Sequence, residues 1–218
     1  MDKFINKVQC IEALELMKQL PDKSIDLVLT DPDYNAKNIG SQNKKYDIHK
    51  MNLPDQEYKK FCLDWFKEAQ RLSDRIVFTP GIANIQTYPQ ATWIICWYKA
   101  CCVSFNRMGG FNAWEPILIY GKPPKGNRLP VDYLNINTLN WSKGPEKNHP
   151  CPKPPKLISK LVQIFSKPNE LILDPFMGSW TTAKACQELG RNFIGAEISE
   201  NYCELGKQRL AEVPLLTV

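Results

Sequence analysis

Two short stretches of this sequence place a carboxylate directly after a strand-like run, and the first of them could activate an amine. Residues 24–30 (SIDLVLT) lead into Asp31, which is followed by Pro32, Asp33 and Tyr34. A carboxylate and the carbonyl of Pro32, in a turn that proline fixes, can accept both hydrogens of a conjugated amino group. This returns electron density to the nitrogen, and Tyr34 offers a face on which a flat ring can stack. These groups together could make a conjugated amine nucleophilic, although an isolated Asp-Pro pair is more often a turn.

The second stretch predicts a nucleotide-type cofactor site. Residues 171–174 (LILD) form a strand-like run that ends in Asp174, and Gly178 follows before a helical pattern begins. Glycine permits a tight turn, and the free N–H groups of a helix start favour polar ligand groups. A further strand-like run, residues 192–197 (NFIGAE), ends in Glu197. An acid about 20 residues beyond the glycine turn is where such folds hold ribose hydroxyls.

Both stretches resemble motifs of one enzyme family. Residues 31–34 are similar to the Asp-Pro-Pro-Tyr motif of amino-group DNA methyltransferases, and residues 174–182 to their Asp-Pro-Phe-x-Gly-Ser-Gly-Thr-Thr cofactor motif. Residues 149–154 (HPCPKP) resemble the His-Pro-x-x-Lys-Pro element that leads into the cofactor half. The catalytic motif precedes the cofactor motif, as in the β class of these enzymes. The resemblance covers nearly the whole chain and is weakest between about residues 36 and 148.

This resemblance implies an S-adenosylmethionine-dependent methyltransferase that acts on double-stranded DNA, in a restriction-modification setting. Because the catalytic motif begins with Asp, the resemblance favours adenine N6 over cytosine N4 as the target. It implies that Glu197 holds the ribose hydroxyls and that the Gly178 turn lies against the methionine portion. The matching catalytic positions are Asp31, Pro32 and Tyr34. The matching cofactor positions are Lys153, Asp174, Phe176, Gly178, Ser179, Thr181 and Glu197.

Two residues depart from the family motifs. Asp33 stands where the family has its second proline, and Trp180 stands where it has the second glycine of the cofactor loop. A carboxylate beside Asp31 would repel it, and a large ring at position 180 could obstruct the methionine portion. The alternative hypothesis is therefore a catalytically impaired DNA-binding protein with the same fold. A third hypothesis, an RNA or small-molecule methyltransferase, is disfavoured by the motif order.

The positive charge is concentrated in one segment. The whole chain carries +5, whereas residues 121–167 carry nine basic residues against Asp132 and Glu146, a net +7. A basic stretch in an otherwise near-neutral chain is typical of a phosphate-binding face, although a solvated lysine-rich surface has the same composition. The basic residues are Lys122, Lys125, Arg128, Lys143, Lys147, Lys153, Lys156, Lys160 and Lys167.

Composition argues against a membrane or metal protein. No apolar run reaches the ~18 residues of a membrane span, and the start of the chain shows no signal-peptide pattern. The eight cysteines have no CxxC spacing, so we expect no metal site and a reducing, cytoplasmic compartment. The oligomeric state is open, with a homodimer as one hypothesis.

The periodicity predicts an α/β fold: a Rossmann-like methyltransferase fold with a mostly parallel twisted sheet, an antiparallel edge strand and helices on both faces. Residues 92–98 (TWIICWY) predict a strand covered on both faces, with residues 115–120 as its antiparallel partner. We expect one domain, with a catalytic-motif half (1–120), a short target-recognition-like insert (121–150) and a cofactor-binding half (151–218). The polar residues 36–53 predict a lid over the site. Predicted helices cover residues 10–20, 55–72, 156–166, 180–189 and 200–210, and further strands cover 3–8 and 75–79.

Overall fold

The computed structural model describes residues 1–35, 53–99, 104–105, 110–127, 131–137 and 153–211. The predicted lid lies outside these residues except for Leu53, and so does most of residues 149–154. Among the described residues, no helix is both long enough and apolar enough to cross a membrane. In the same part of the chain, His, Cys, Asp and Glu form no group of three that could hold a metal ion.

Helices and strands alternate at the beginning and the end of the described chain, with consecutive strands between Trp93 and Asn135. The helices are α1 (Ala13–Lys18), α2 (Asp55–Leu72), α3 (Pro155–Phe165), α4 (Thr181–Glu188) and α5 (Glu200–Ala211), with a 3-10 helix at Ile82–Thr87. The strands are β1 (Lys7–Gln9), β2 (Leu27–Thr30), β3 (Ile76–Phe78), β4 (Trp93–Tyr98), β5 (Ser104–Phe105), β6 (Phe111–Asn112), β7 (Trp114–Tyr120), β8 (Tyr133–Asn135), β9 (Leu171–Asp174) and β10 (Asn192–Ala196). The predicted elements are all found, and most differ from the prediction only by a few residues at their ends.

Eight strands within the described residues form one sheet in the order β1-β10-β9-β2-β3-β7-β4-β8. Strand β7 runs antiparallel to both of its neighbours, β3 and β4, and the other neighbouring pairs are parallel. The prediction of a mostly parallel sheet is therefore confirmed. The antiparallel strand, however, lies inside the sheet, because β7 pairs with β3 as well as with its hairpin partner β4. The outermost strand on this side of the sheet is β8, next to β4, and its three residues are too few for a sequence pattern to indicate.

Helices cover both faces of the sheet, as predicted. On one face, α3 and α4 contribute Leu161, Phe165 and Ala183 to a buried cluster that includes Leu27 and Leu29 of β2. On the other face, α1 and α2 pack against the intervening strand residues, with their buried side chains Leu16, Met17, Tyr58, Phe61, Trp65 and Phe66. The aromatic side chains of α2 are thus core residues. A strand covered on both faces is apolar throughout, which explains the LVLT sequence of β2.

Strand β4 does not follow that pattern, and the prediction that both of its faces are covered is wrong. Ile95 and Trp97 are buried, whereas Ile94 is 43% exposed. Alternate residues of a strand point to opposite faces, so only the face that carries Ile95 and Trp97 packs against the core.

The sheet brings the two motif stretches together at the carboxyl ends of its parallel strands, the Asp31 edge. Strands β2, β3, β9 and β10 are parallel, so their carboxyl ends lie side by side. The residues at or just after these ends are Thr30 and Asp31, Thr79, Asp174, and Glu197. In open α/β sheets this edge is where ligands bind.

Candidate active site

The Asp31 carboxylate is held by three side chains from three parts of the chain. Its Oδ1 atom accepts hydrogen bonds from the hydroxyls of Tyr34 and Thr79. Its Oδ2 atom lies 2.5 Å from Nζ of Lys153. Asp31 is 23% exposed while Lys153 is only 6% exposed, so the carboxylate can be reached from outside although its cationic partner is buried. The structure thus unites Asp31 and Tyr34 with a lysine that the sequence assigned to the cofactor.

Tyr34 has its ring against a glycine. A Cβ at Gly81 would lie 3.1 Å from the ring of Tyr34, and Gly81 has a φ of +71°. Both the conformation and the close approach favour glycine at this position. The Tyr34 hydroxyl also lies 3.1 Å from the carbonyl oxygen of Thr79, which follows β3. The end of β3 therefore fixes the position of the ring.

A chain of alternating charges extends from Asp31 into the sheet. Nζ of Lys153 lies 3.9 Å from Oε2 of Glu115, and Nζ of Lys99 donates to Oε1 of Glu115. Burial alone would raise the pKa of the Glu115 carboxyl, but the ammonium groups of Lys153 and Lys99 outweigh burial and hold it below its usual value. Glu115 is therefore ionised at neutral pH. Two carboxylate-ammonium pairs, Asp31–Lys153 and Glu115–Lys99, thus lie next to each other.

The turn that contains Asp33 is held by a hydrogen bond from α2. The Tyr58 hydroxyl donates to the carbonyl oxygen of Asp33 at 2.9 Å and accepts a hydrogen bond from Asn84 at 3.1 Å. Burial raises the pKa of Tyr58 far above its ordinary value, so the phenol keeps its proton. This bond supports the turn at the position where the family motif has a proline.

Asp174 organises the loop that follows β9. It is 3% exposed, and its Oδ1 atom accepts hydrogen bonds from the Thr30 hydroxyl at 2.6 Å and from the backbone N–H of Phe176 at 3.1 Å. Burial raises the pKa of the carboxyl to about 6. Since Thr30 immediately precedes Asp31, this hydrogen bond ties the two motif stretches to each other.

Glu197 joins the end of β10 to the glycine turn. Its Oε2 atom accepts from the backbone N–H of Gly178 at 2.7 Å, and its Oε1 atom accepts from the backbone N–H of Ser199 at 2.8 Å. Burial raises the pKa of this carboxyl. Each carboxylate oxygen can accept a second hydrogen bond, so Glu197 keeps acceptor capacity for hydroxyl groups.

The remaining predicted cofactor positions line the same loop. The ring of Phe176 packs edge-on against Phe61 and Trp65, with centroids 5.7 Å apart in both pairs. The hydroxyls of Ser179 and Thr181 lie 3.1 Å apart, and Thr181 is buried. Phe176 and Thr181 are therefore fixed by packing within the fold.

Trp180 lies in the protein core rather than at the mouth of the loop. Its backbone is left-handed, with a φ of +61°, and the residue is 3% exposed. The indole ring fills the space beside Gly206 of α5, where a Cβ would collide with it. The expectation that this ring obstructs the methionine portion is therefore not supported, because the side chain points into the packing between α4 and α5.

The predicted basic face is divided between the two ends of the sheet. Lys122 and Lys125 follow the end of β7, beside the start of β3, and Lys167 precedes β9. These three exposed lysines lie at the amino ends of the parallel strands, opposite the Asp31 edge. Lys153 is buried in its pairs with Asp31 and Glu115. Arg128, Lys143 and Lys147 lie outside the described residues.

Five residues of the site were not predicted from the sequence: Tyr58, Thr79, Gly81, Lys99 and Glu115. Two signals could have found them. Thr79 ends a strand parallel to β2, and polar residues at such ends converge. Glu115 is the one acid of the apolar strand β7, so burial requires it to have a partner.

Comparisons with known proteins agree with this geometry. A family model described as DNA methylase, for N6 and N4 methyltransferases, matches residues 25–208. The Type II methyltransferase M.HinfI of Haemophilus influenzae is 28% identical over an alignment that covers 96% of this chain and 69% of that protein. The Type II methyltransferase M.HpaI of Haemophilus parainfluenzae is 27% identical, over 92% of this chain and 73% of that protein.

Solved structures share the fold. The PvuII DNA methyltransferase, described as cytosine-N4-specific, superposes with a TM-score of 0.72 at 18% identity, over 97% of this chain and 88% of that one. The M1.HpyAVI complex with SAM superposes with a TM-score of 0.65 at 24% identity, over 94% of this chain and 98% of that one. At these identities the superpositions establish the Rossmann-like fold of methyltransferases.

Proposed function

This chain belongs to the N6/N4 family of DNA methylases, and from that membership we propose that it methylates the exocyclic amine of a base extruded from double-stranded DNA. The methyl donor is S-adenosylmethionine, and we favour adenine N6 over cytosine N4. The named relatives are Type II methyltransferases, which supports a role in restriction-modification. A homodimer remains a hypothesis for its assembly.

The observation that carries this proposal is the 2.6 Å hydrogen bond between Thr30 and Asp174. It connects the strand that presents Asp31 to the loop that presents Gly178, and Glu197, after β10, is bonded to that loop through the Gly178 N–H. A transfer reaction needs its two reactants held in line at about 3–3.5 Å, which requires both binding sites on one rigid frame. The buried Thr30–Asp174 contact provides that frame.

The residues of the loop fit S-adenosylmethionine. Gly178 has a φ of +51° and presents no side chain, so the backbone turn can approach a ligand closely. Glu197 would accept hydrogen bonds from the ribose hydroxyls with its remaining lone pairs. Lys153 contacts Asp31 and Tyr34, so we assign it to the target-base side of the site. When bound, S-adenosylmethionine supplies an electrophilic methyl group on a sulfonium.

Asp31, Pro32 and Tyr34 would act on the target amine. The carboxylate of Asp31 and the carbonyl of Pro32 would accept its two hydrogens and increase its nucleophilicity. The ring of Tyr34, backed by Gly81, would stack against the extruded base. The Asp31 carboxylate is a charged acceptor in a partly buried site, and a hydrogen bond to a charged acceptor is stronger than one between neutral groups.

Two contacts favour an active enzyme over the impaired DNA-binding protein. Tyr58 supports the turn at Asp33, and Gly206 accommodates the Trp180 ring away from the loop. Both departures from the family motifs thus have a compensating residue elsewhere in the chain. The preference for adenine depends on the Asp that begins the catalytic motif, a feature more common in adenine-modifying members.

The test is transfer of a labelled methyl group from S-adenosylmethionine to unmethylated DNA, RNA and protein in parallel. We expect label in DNA only. We also expect Glu197→Ala to weaken S-adenosylmethionine binding by calorimetry. A wild-type chain that binds the donor but labels no DNA would refute methyl transfer, and the binding-protein hypothesis would replace it.

A further inference from the structure

We propose that the ammonium group of Lys153 occupies the position of the target amine before DNA binds, and that Glu115 receives this ammonium when the base enters. Glu115 would thus be a positioning residue for the reaction, although it does not contact the base. This inference rests on the proposed methyl transfer and adds a step that the family motifs do not contain.

The two oxygens of Asp31 are used unequally. Oδ1 already accepts hydrogen bonds from Tyr34 and Thr79, which hold the side chain in place. Oδ2 is paired with Lys153 at 2.5 Å. An incoming amine that donates to Asp31 must therefore compete with Lys153 for Oδ2.

The position of Lys153 matches what the amine of a stacked base requires. Its Nζ atom lies 3.0 Å from the Tyr34 hydroxyl and 5.1 Å from the centroid of the Tyr34 ring. A base stacked on this ring, with its amine donated to Asp31, would bring a nitrogen donor into the same region. Lys153 and the target amine cannot both occupy it.

Glu115 offers the displaced ammonium a buried acceptor. Its Oε2 atom is buried and accepts no hydrogen bond from the described residues, whereas its Oε1 atom is held by Lys99. The separation of 3.9 Å between Oε2 and Nζ of Lys153 exceeds hydrogen-bond distance by on the order of 1 Å. A small movement of the lysine would therefore exchange Asp31 for Glu115 as its partner, with its proton retained throughout.

The exchange would free Oδ2 of Asp31 for the amine. Before the base enters, the ammonium of Lys153 keeps the Asp31 carboxylate paired. Separating a buried ammonium from its carboxylate is costly, and Glu115 offers Lys153 a second carboxylate when the base takes Asp31.

A double-mutant cycle tests the exchange. Glu115→Gln removes the charge that receives Lys153, so kcat/KM for DNA should fall by roughly tenfold or more, with S-adenosylmethionine affinity unchanged. In a Lys153→Met background there is no ammonium to receive, so adding Glu115→Gln should change kcat/KM by less than about twofold. Glu170→Gln, which breaks the partly buried Arg75–Glu170 pair at the other end of the sheet, is the control for the loss of an ion pair.

The outcomes separate this inference from the proposed function. If the Glu115→Gln defect persists at full size without Lys153, Glu115 has only a structural role and the exchange is refuted. NMR of the Lys153 ammonium, assigned by its loss in Lys153→Met, gives a readout that needs no turnover. We expect its signal to shift when DNA binds to the wild type, and an unchanged signal would refute the exchange. A wild type without methyl transfer would instead refute the proposed function.

Discussion

The indole ring of Trp180 fills the space that a side chain on Gly206 would occupy, and this contact joins the cofactor loop to α5. Trp180 caps α4 and Gly206 lies within α5, and both residues are buried. A second contact reinforces the link, because Nη1 of Arg209 donates to the carbonyl oxygen of Ser179 at 2.6 Å. The bulky residue that departs from the family motif is therefore part of the packing that fixes the loop.

This packing predicts strong coupling between positions 180 and 206. Gly206→Ala should destabilise the wild type by about 2 kcal/mol or more, because the new Cβ collides with the indole. In a Trp180→Gly background the same change should be neutral or stabilising by up to about 1 kcal/mol, since alanine is the better helix former. Urea unfolding of the four proteins measures the coupling, and additive effects would contradict the packing.

Trp180→Gly by itself should lower stability and leave cofactor affinity unchanged. The loss of a buried indole should lower the unfolding free energy by about 3–5 kcal/mol. Glycine adopts the left-handed backbone without strain, which should restore only about 1–2 kcal/mol. Calorimetry with S-adenosylmethionine and urea unfolding on the same protein separate the two effects. A variant that binds the donor markedly more tightly would restore the hypothesis that the ring obstructs the methionine portion.

The raised pKa of Asp174 predicts a pH dependence of stability. The folded protein holds this carboxyl at a pKa of about 6, above its value in an unfolded chain, so folding favours the protonated form. The stability that it contributes is complete below about pH 4 and is lost as the pH rises through about 6. As the pH rises from 4 to 7.5, the unfolding free energy of the wild type should therefore fall relative to that of Asp174→Asn, by up to about 3 kcal/mol. Urea unfolding of both proteins from pH 4 to pH 7.5 tests this, and a constant difference would contradict it.

The turn at Asp33 gives a prediction about catalysis. Tyr58→Phe removes the hydrogen bond to the Asp33 carbonyl, worth about 1 kcal/mol, and should lower kcat severalfold with little change in KM for the donor. Asp33→Pro should offset this loss, since proline fixes the turn covalently. Steady-state kinetics of both variants and their combination provide the test. An equal loss in the single and the double variant would show that Tyr58 does not act through the turn.

The exposed lysines at the far end of the sheet should contribute little to DNA binding. Lys122, Lys125 and Lys167 lie at the amino ends of the parallel strands, away from Asp31. Their combined replacement by Ala should leave duplex affinity and its salt dependence nearly unchanged. A lysine that does bind a phosphate would, on replacement, lower the salt slope by about one. A slope reduced by two or three in a titration from low to moderate salt would restore the basic face that the sequence predicted.

Sequence reasoning identified the reactive edge because the key residues end strands. The runs before Asp31, Asp174 and Glu197 are largely apolar and lead to an acid, and parallel pairing places the ends of these strands side by side. The charge chain behind the edge was not predictable in the same way. Lys99 and Glu115 come together through the pairing of β4 with β7, but Lys153 comes from a distant segment that precedes α3, and no sequence pattern links it to Glu115.

The course of the chain at the sheet edge also escaped the sequence pattern. Strand β8 has three residues, too few for alternation to distinguish it from a loop. The apolar run of β4 suggested cover on both faces, yet Ile94 is 43% exposed. The packing of Trp180 was not predictable, because its partner, Gly206, lies in a separate helix with no motif of its own.

The most direct test of the central claim is nucleoside mass spectrometry of unmethylated duplex DNA after incubation with S-adenosylmethionine and the protein. We predict N6-methyladenine with the wild type and its loss with Asp31→Asn, which retains the shape of the side chain but removes the charge. Methylated base formed equally by the wild type and by Asp31→Asn would contradict the role of Asp31. Tight binding of the donor with no methylated base from the wild type would contradict methyl transfer itself.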